Sequence, residues 1–163
     1  MKKTFVLAGA ALAMLFAGAA HANDPKLAIA DLEARLVKIG AAKLDGTDKV
    51  GEKTVPALFF GARKVNNNFQ VVDEIKKTTG ASATIFVKEG DEFVRVSTNV
   101  LTAEGKRGVG TQLARAKAYE AMAKGEKFCA VVDVLGTQFD SCYHPIKDDG
   151  GKVIGVTYVG FKK

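Results

Sequence analysis

The sequence predicts an α+β domain: a five-stranded antiparallel sheet with a long N-terminal helix and one crossover helix. Three observations carry that prediction. A sustained apolar stripe at helical spacing occurs near the start of the chain, the apolar period switches to two after Gly80, and a single helical stretch separates the resulting strand runs into two groups. So few helices cannot cover a parallel sheet on both faces, so the strands are expected to pair antiparallel.

The first 22 of the 163 residues read as an export signal. Lys2 and Lys3 give a positive start, Thr4 to Ala20 holds no charge, and Ala20-His21-Ala22 supplies small residues for a cleavage site. The expected mature chain therefore starts at Asn23 and forms one domain over residues 23–163, located in the periplasm. Beyond the signal no apolar run approaches the roughly 18 residues of a membrane span.

Asp24 and Pro25 begin a helix, the first as its cap and the second where a missing N–H costs nothing. Ile29, Leu32, Leu36 and Ile39 form one stripe, which extends the helix to about Ala42, with Asp45-Gly46 as the stop. Val50 to Asn68 lacks any period, broken by Pro56, Gly61 and Asn66-Asn67-Asn68, and is expected to be a structured cover packed through Leu58, Phe59 and Phe60. A short helix from Phe69 to Thr79 ends at Gly80.

Ala83 to Lys88 and Glu92 to Thr98 are then strands of a hairpin. With Glu89-Gly90 as a two-residue turn, Thr84 lies opposite Arg95 and Phe86 opposite Phe93, while Ile85, Val87, Val94 and Val96 line the other face. Gly105 to Gly110 is a glycine-punctuated loop, and Thr111 is expected to cap a helix through Leu113, Tyr119 and Met122 to Gly125. Phe128 to Val134, Gln138 to Ile146 and Lys152 to Phe161 are the last three strands, turning at Leu135-Gly136 and at Asp148 to Gly151.

Several function classes are disfavoured. Without Lys2 and Lys3 the net charge falls from +6 to +4, no run of basic residues occurs, and no aromatic residues interleave with them, so nucleic acid is a poor partner. Gly105 to Gly110 lacks the Gly-Lys-Ser/Thr ending of a phosphate loop, and no Cys-x-x-Cys-His motif is present, so no cofactor is expected. Asp140, Cys142 and His144 alternate along one strand, but with the cysteine in the middle and neighbours about 7 Å apart they do not form a thiol-enzyme triad. A metal site from Cys129, Asp140, Cys142 and His144 lacks the recurring ligand spacings. No enzyme is expected.

The segments GEKTVPALFFG, NNNFQVVDEI, TGASATIFVKEGDEFVRVSTNV, GKRGVGT and LGTQFDSCYHPIKDDGGKVIGVTYVG resemble, in the same order, the Cache 3/Cache 2 fusion type of sensor domain found outside the membrane in bacterial chemoreceptors and sensor kinases. The likeness spans about Val50 to Gly160. It implies a PAS-like single Cache domain that binds a small ligand, such as an organic acid, between the sheet and the loops on one face. It further implies readout by displacement of the last strand relative to the long helix. In receptors of this type the last strand runs into a membrane helix, whereas this chain reads Phe161-Lys162-Lys163, so the expected arrangement is a module signalling through a separate membrane receptor or sensor kinase. The long helix offers a surface along which two copies pair as a homodimer. His144 stands where the family pattern has a glutamate before the proline, and Cys129 and Cys142 lie outside that pattern.

Arg95 is the leading candidate for binding an anionic small molecule, because a planar guanidinium on a half-buried polar face matches a carboxylate. Thr84, Ser97, Thr98 and Tyr143 are candidates for the other polar contacts, and Phe69, Phe86 and Phe93 for apolar walls. A surface arginine paired with Asp91 or Glu92 is the competing reading of Arg95, and helix capping that of Asn66 to Asn68. A turn at Leu135-Gly136 sets Cys129 opposite Cys142 with Cα atoms roughly 4.5 Å apart, close enough for a disulfide; a turn one residue later leaves them diagonal.

Overall fold

The computed structural model describes residues 23–163, so the export signal read over residues 1–22 lies outside the described part. Helix α1 spans Pro25–Ile39, and Asp24 caps it by accepting the Lys26 amide at 2.8 Å. It ends at Ile39, the last residue of its apolar stripe, short of the expected Ala42. Gly40, at φ 147°, stops it because this backbone lies directly against Gly61: a Cβ on Gly40 would fall 2.5 Å from the Gly61 Cα. Asp45-Gly46 is instead an irregularity inside the following strand.

The stretch expected as an irregular cover is a second sheet. Strands β1 (Ala42–Val50), β2 (Lys53–Phe60) and β3 (Arg63–Lys64) form an antiparallel three-stranded sheet in that order. Pro56 is tolerated within β2 because β3 pairs only with Phe59 and Phe60, so the far edge of β2 at Pro56 meets no strand. The buried Asn66 amide takes that place: its Oδ1 accepts the Leu58 N–H at 2.8 Å and its Nδ2 donates to the Pro56 carbonyl at 3.0 Å. Side-chain amide thus substitutes for a missing strand.

Helix α2 (Gln70–Thr79) leads into the main sheet, built from β4 (Ser82–Glu89), β5 (Glu92–Thr98), β6 (Phe128–Val134), β7 (Thr137–Lys147) and β8 (Val153–Lys162). Its order is β5-β4-β8-β7-β6, all neighbours antiparallel, so the last strand lies in the middle and the two hairpin groups meet there. Helix α3 (Lys117–Ala123) is the crossover. This is the α+β, PAS-like arrangement expected from the sequence.

The two faces of the main sheet carry separate cores. On one, Ile85, Val87, Val94, Val96 and Val159 pack against Ile29, Leu32 and Leu36 of α1 and Val71, Val72 and Ile75 of α2. Each such side chain removed from water contributes about 1.5–3 kcal/mol, so this face anchors both helices. The other face carries Phe86, Phe93, Tyr143, Val156 and Tyr158 beneath Leu113 and Met122.

The β4–β5 register differs from the sequence expectation. The turn is Gly90-Asp91, with Glu89 paired to Glu92, and Phe86 rather than Thr84 faces Arg95. A bulge at Val96 then places Ser97 opposite Ile85 and Thr98 opposite Thr84. The Val96 carbonyl accepts the Asn67 amide at 2.8 Å, so the extra residue is held by the segment leading into α2.

Thr111 caps no helix. Residues 110–113 run along β5: the Gly110 amide donates to Arg95 O, the Arg95 amide to Thr111 O and the Leu113 amide to Phe93 O, at 2.8–2.9 Å. The α3 helix starts only at Lys117.

Candidate ligand-binding site

Arg95 lies on the aromatic face and is only 3% exposed. Its register partner Phe86 sits beneath it, with the guanidinium carbon 4.8 Å from the ring centroid. Nη1 donates to Thr111 Oγ1 at 3.0 Å and to the Gln112 carbonyl at 2.9 Å. Nε is buried without a partner, and among the described residues no carboxylate lies within ion-pair distance of Arg95.

Two tyrosines complete the surroundings. The Tyr143 and Tyr158 rings stand 4.8 Å apart, both buried, and the Tyr158 hydroxyl lies over Gly160 beside Ser141, its nearest polar neighbour among the described residues. Gly160 makes room for that phenol: a Cβ there would overlap its hydroxyl oxygen. Burial pushes both phenols well above the ordinary tyrosine value, opposed at Tyr158 first by the Ser141 hydroxyl and at both by the Arg95 charge. Burial likewise pushes Arg95 below the ordinary arginine value, against the opposing influence of Tyr143 and Tyr158. A guanidinium starts so high that it remains charged, and the phenols remain hydrogen-bond donors. Chemically the cluster is a buried cation with an open N–H among aromatic walls.

The structure brings Arg95, Phe86, Phe93 and Tyr143 together and sends other candidates elsewhere. Thr84 and Thr98 lie on β4 and β5 with hydroxyls 2.6 Å apart, and Thr98 Oγ1 also accepts the Val100 amide, so they satisfy each other and the backbone. Ser97, carried by the bulge to the α1 side of the sheet, donates to Asn68 O at 2.6 Å. Phe69 packs on that side as well, under Arg107 at 4.4 Å. The three asparagines serve the fold: Asn66 stitches β2, Asn67 donates to Lys49 O, and Asn68 Oδ1 accepts the Gln70 amide at the start of α2.

Tyr158, Thr111 and Gln112 were missed by the sequence reading. Tyr158 was findable, since Val156, Tyr158 and Gly160 alternate along the final strand. Thr111 was not, because threonine before a helical stretch reads as a cap.

Cys129 pairs with Cys142 as the turn geometry predicts, with Leu135 and Gly136 both at positive φ and the Cα atoms 4.1 Å apart in a disulfide. Both sulfurs are thereby consumed. His144 Nδ1 meets Glu33 Oε1 of α1 at 2.8 Å. Two open grooves lie on the α1 side, away from Arg95. One, of about 530 Å³, runs between Leu36, Val37, Phe60 and Ile146; the other, of about 650 Å³, lies between Arg35, Arg63 and Glu74.

An antiparallel PAS-like sheet behind a long helix is the architecture of the Cache type of domain, a sensory ligand-binding module of the extracytoplasmic kind. The chain belongs to the Cache 3/Cache 2 fusion domain family, whose model matches residues 28–163. Domains of this kind bind small molecules, signal through membrane receptors and are generally not enzymes. No curated protein matches the chain in sequence.

Proposed function

We propose that the chain is an exported periplasmic sensor module that binds a small organic acid at Arg95 and reports occupancy to a separate membrane receptor or sensor kinase. The observation that carries this reading is Arg95 itself: a buried cation with, among the described residues, an unpaired Nε and no counter-charge. Burying a charge in that state is costly unless something negative arrives, and a carboxylate offers two oxygens to a planar fork. Phe86, Phe93 and Tyr143 are the walls. Export rests on Lys2, Lys3, the apolar run to Ala20 and the Ala20-His21-Ala22 cleavage site. Leu27 and Val37, the latter 75% exposed, support pairing of two copies along α1.

Isothermal titration of the processed protein against a panel of small organic acids tests this reading. At least one acid is expected to bind, and Arg95→Ala to weaken it about 100-fold, the scale of losing a charge-assisted pair in a buried site. Flat heat traces throughout the panel at millimolar concentration sink it. The close packing of Phe86, Tyr143, Tyr158 and Met122 in the core of the face that carries Arg95 favours a second reading, a scaffold whose pocket is filled by its own side chains. Flat traces are what that reading expects.

A further inference from the structure

Gly108–Gln112 crosses the Arg95 site between two fixed points. On one side Arg107 makes a bidentate pair with Asp73, at 2.7 and 2.9 Å, donates to Thr98 O at 2.9 Å and stacks on Phe69. On the other, Leu113 is buried in the aromatic core. Between them lie two glycines, a valine, Thr111 and Gln112, with Gly110 at φ 83°. Gly108 is buried and Val109 packs against the core on the α1 side, whereas Thr111 is half-buried and Gln112 exposed. Val109 anchors its first half; the Thr111–Gln112 half is held by a few backbone bonds to β5 and by Arg95 Nη1, which reaches Thr111 Oγ1 and the Gln112 carbonyl at once, while Thr111 Oγ1 itself donates to Gly108 O.

Those two oxygens are the only acceptors the guanidinium has among the described residues, and both are neutral. A carboxylate oxygen is the stronger acceptor for the same N–H groups, and it can engage the vacant Nε as well. Taking the organic-acid reading of Arg95 as given, we infer that Gly108–Gln112 is a strap that Arg95 holds shut in the empty protein, and that an anion opens it by replacing Thr111 Oγ1 and the Gln112 carbonyl at Nη1. Ligand and strap then compete for one donor. Opening frees the edge of β5 and withdraws Gly110 from the β1–β2 turn, which it touches so closely that a Cβ there would lie 3.0 Å from Val50 O. Occupancy thus becomes visible at the surface as an exposed strand edge and a released turn.

The test is amide hydrogen exchange on the processed full chain, followed at Gly110 and Leu113, whose N–H groups bond β5, with Val156 and Tyr158 in the sheet centre as internal controls. Thr111→Val, which keeps the side-chain shape and removes Oγ1, is expected to speed exchange at Gly110 and Leu113 about tenfold while the controls stay within a factor of two. Arg95→Gln is expected to do the same, and Thr111→Val keeps the test decisive where Arg95→Gln misfolds. In wild-type protein, sodium acetate titrated against sodium chloride at constant ionic strength is expected to speed exchange at the same two amides. In Thr111→Val the acetate midpoint is expected to fall severalfold, because a competitor has gone. Unchanged exchange in Thr111→Val, or acetate that slows exchange at the strap, overturns the strap. A strap loosened by Thr111→Val together with indifference to acetate and flat titrations for every acid instead overturns the acid-binding reading and leaves the tether standing, so the two failures are distinguishable.

Discussion

Two arginines in this domain lie over phenylalanine rings, one on each side of the main sheet. Arg107 stacks on Phe69 at 4.4 Å and Arg95 on Phe86 at 4.8 Å. There the likeness ends. Arg107 is partly exposed and pairs in a fork with Asp73, so its charge is met within the protein and by water. Arg95 is almost wholly buried and, among the described residues, meets only neutral oxygens. The same contact geometry therefore serves different ends: around Arg107 it ties α2 to the loop after β5, and around Arg95 it leaves an electrostatic demand unmet. An arginine is informative about ligands through what it lacks, and the burial of both would have to be known before either could be ranked.

The largest expected difference is one of sign. Arg107→Met should cost about 1 kcal/mol, the scale of a partly exposed ion pair, whereas Arg95→Met should leave the ligand-free protein as stable or up to about 2 kcal/mol more stable, because an uncompensated buried charge is gone. Urea unfolding of the two variants beside the wild type measures this. Arg95→Met that destabilises more than Arg107→Met breaks the contrast.

The aromatic face should also be the alkali-sensitive one. Tyr143 and Tyr158 are both raised by burial, so their contribution is complete below the ordinary tyrosine value of about 10 and is lost as pH rises beyond it, when the unfolded chain releases protons that the folded chain keeps. The slope should be about 1 kcal/mol per pH unit for each phenol. Unfolding at pH 9 and pH 11 should show a decline that the Tyr143→Phe, Tyr158→Phe double variant largely removes; equal declines would assign the effect to other groups.

On the α1 side a polar contact should matter least. His144 and Glu33 are bonded but Glu33 is about a third exposed, so a double-mutant cycle with His144→Ala and Glu33→Ala should give a coupling of about 0.5 kcal/mol. A coupling above about 2 kcal/mol would make that pair as consequential as the arginines.

Legibility in the sequence followed the range of the interactions. Strand faces, the Cys129–Cys142 register and the crossover helix were readable because each depends on local period or one turn. The β1–β2 hairpin was not, since Pro56 and the flanking glycines break the period of a strand whose edge is completed by the side chain of Asn66, which no backbone pattern announces. Arg95 was readable as a polar residue among apolar ones. Its surroundings were not: the bulge at Val96 removes Ser97 from the face, and the strap that meets the guanidinium reads locally as a helix start.

Gly40 and Gly61 meet back to back at the end of α1, with no space for a methyl group on either. Gly51 and Gly110 do nearly the same where the β1–β2 turn meets the loop over Arg95. The small sheet is thus clamped backbone to backbone at both ends, like a spacer bolted without washers. Side chains at such joints would act as compliant bushings, absorbing a displacement of a few tenths of an ångström through rotamer changes. Glycine leaves no such slack, so a shift at one joint is delivered to the other almost undiminished.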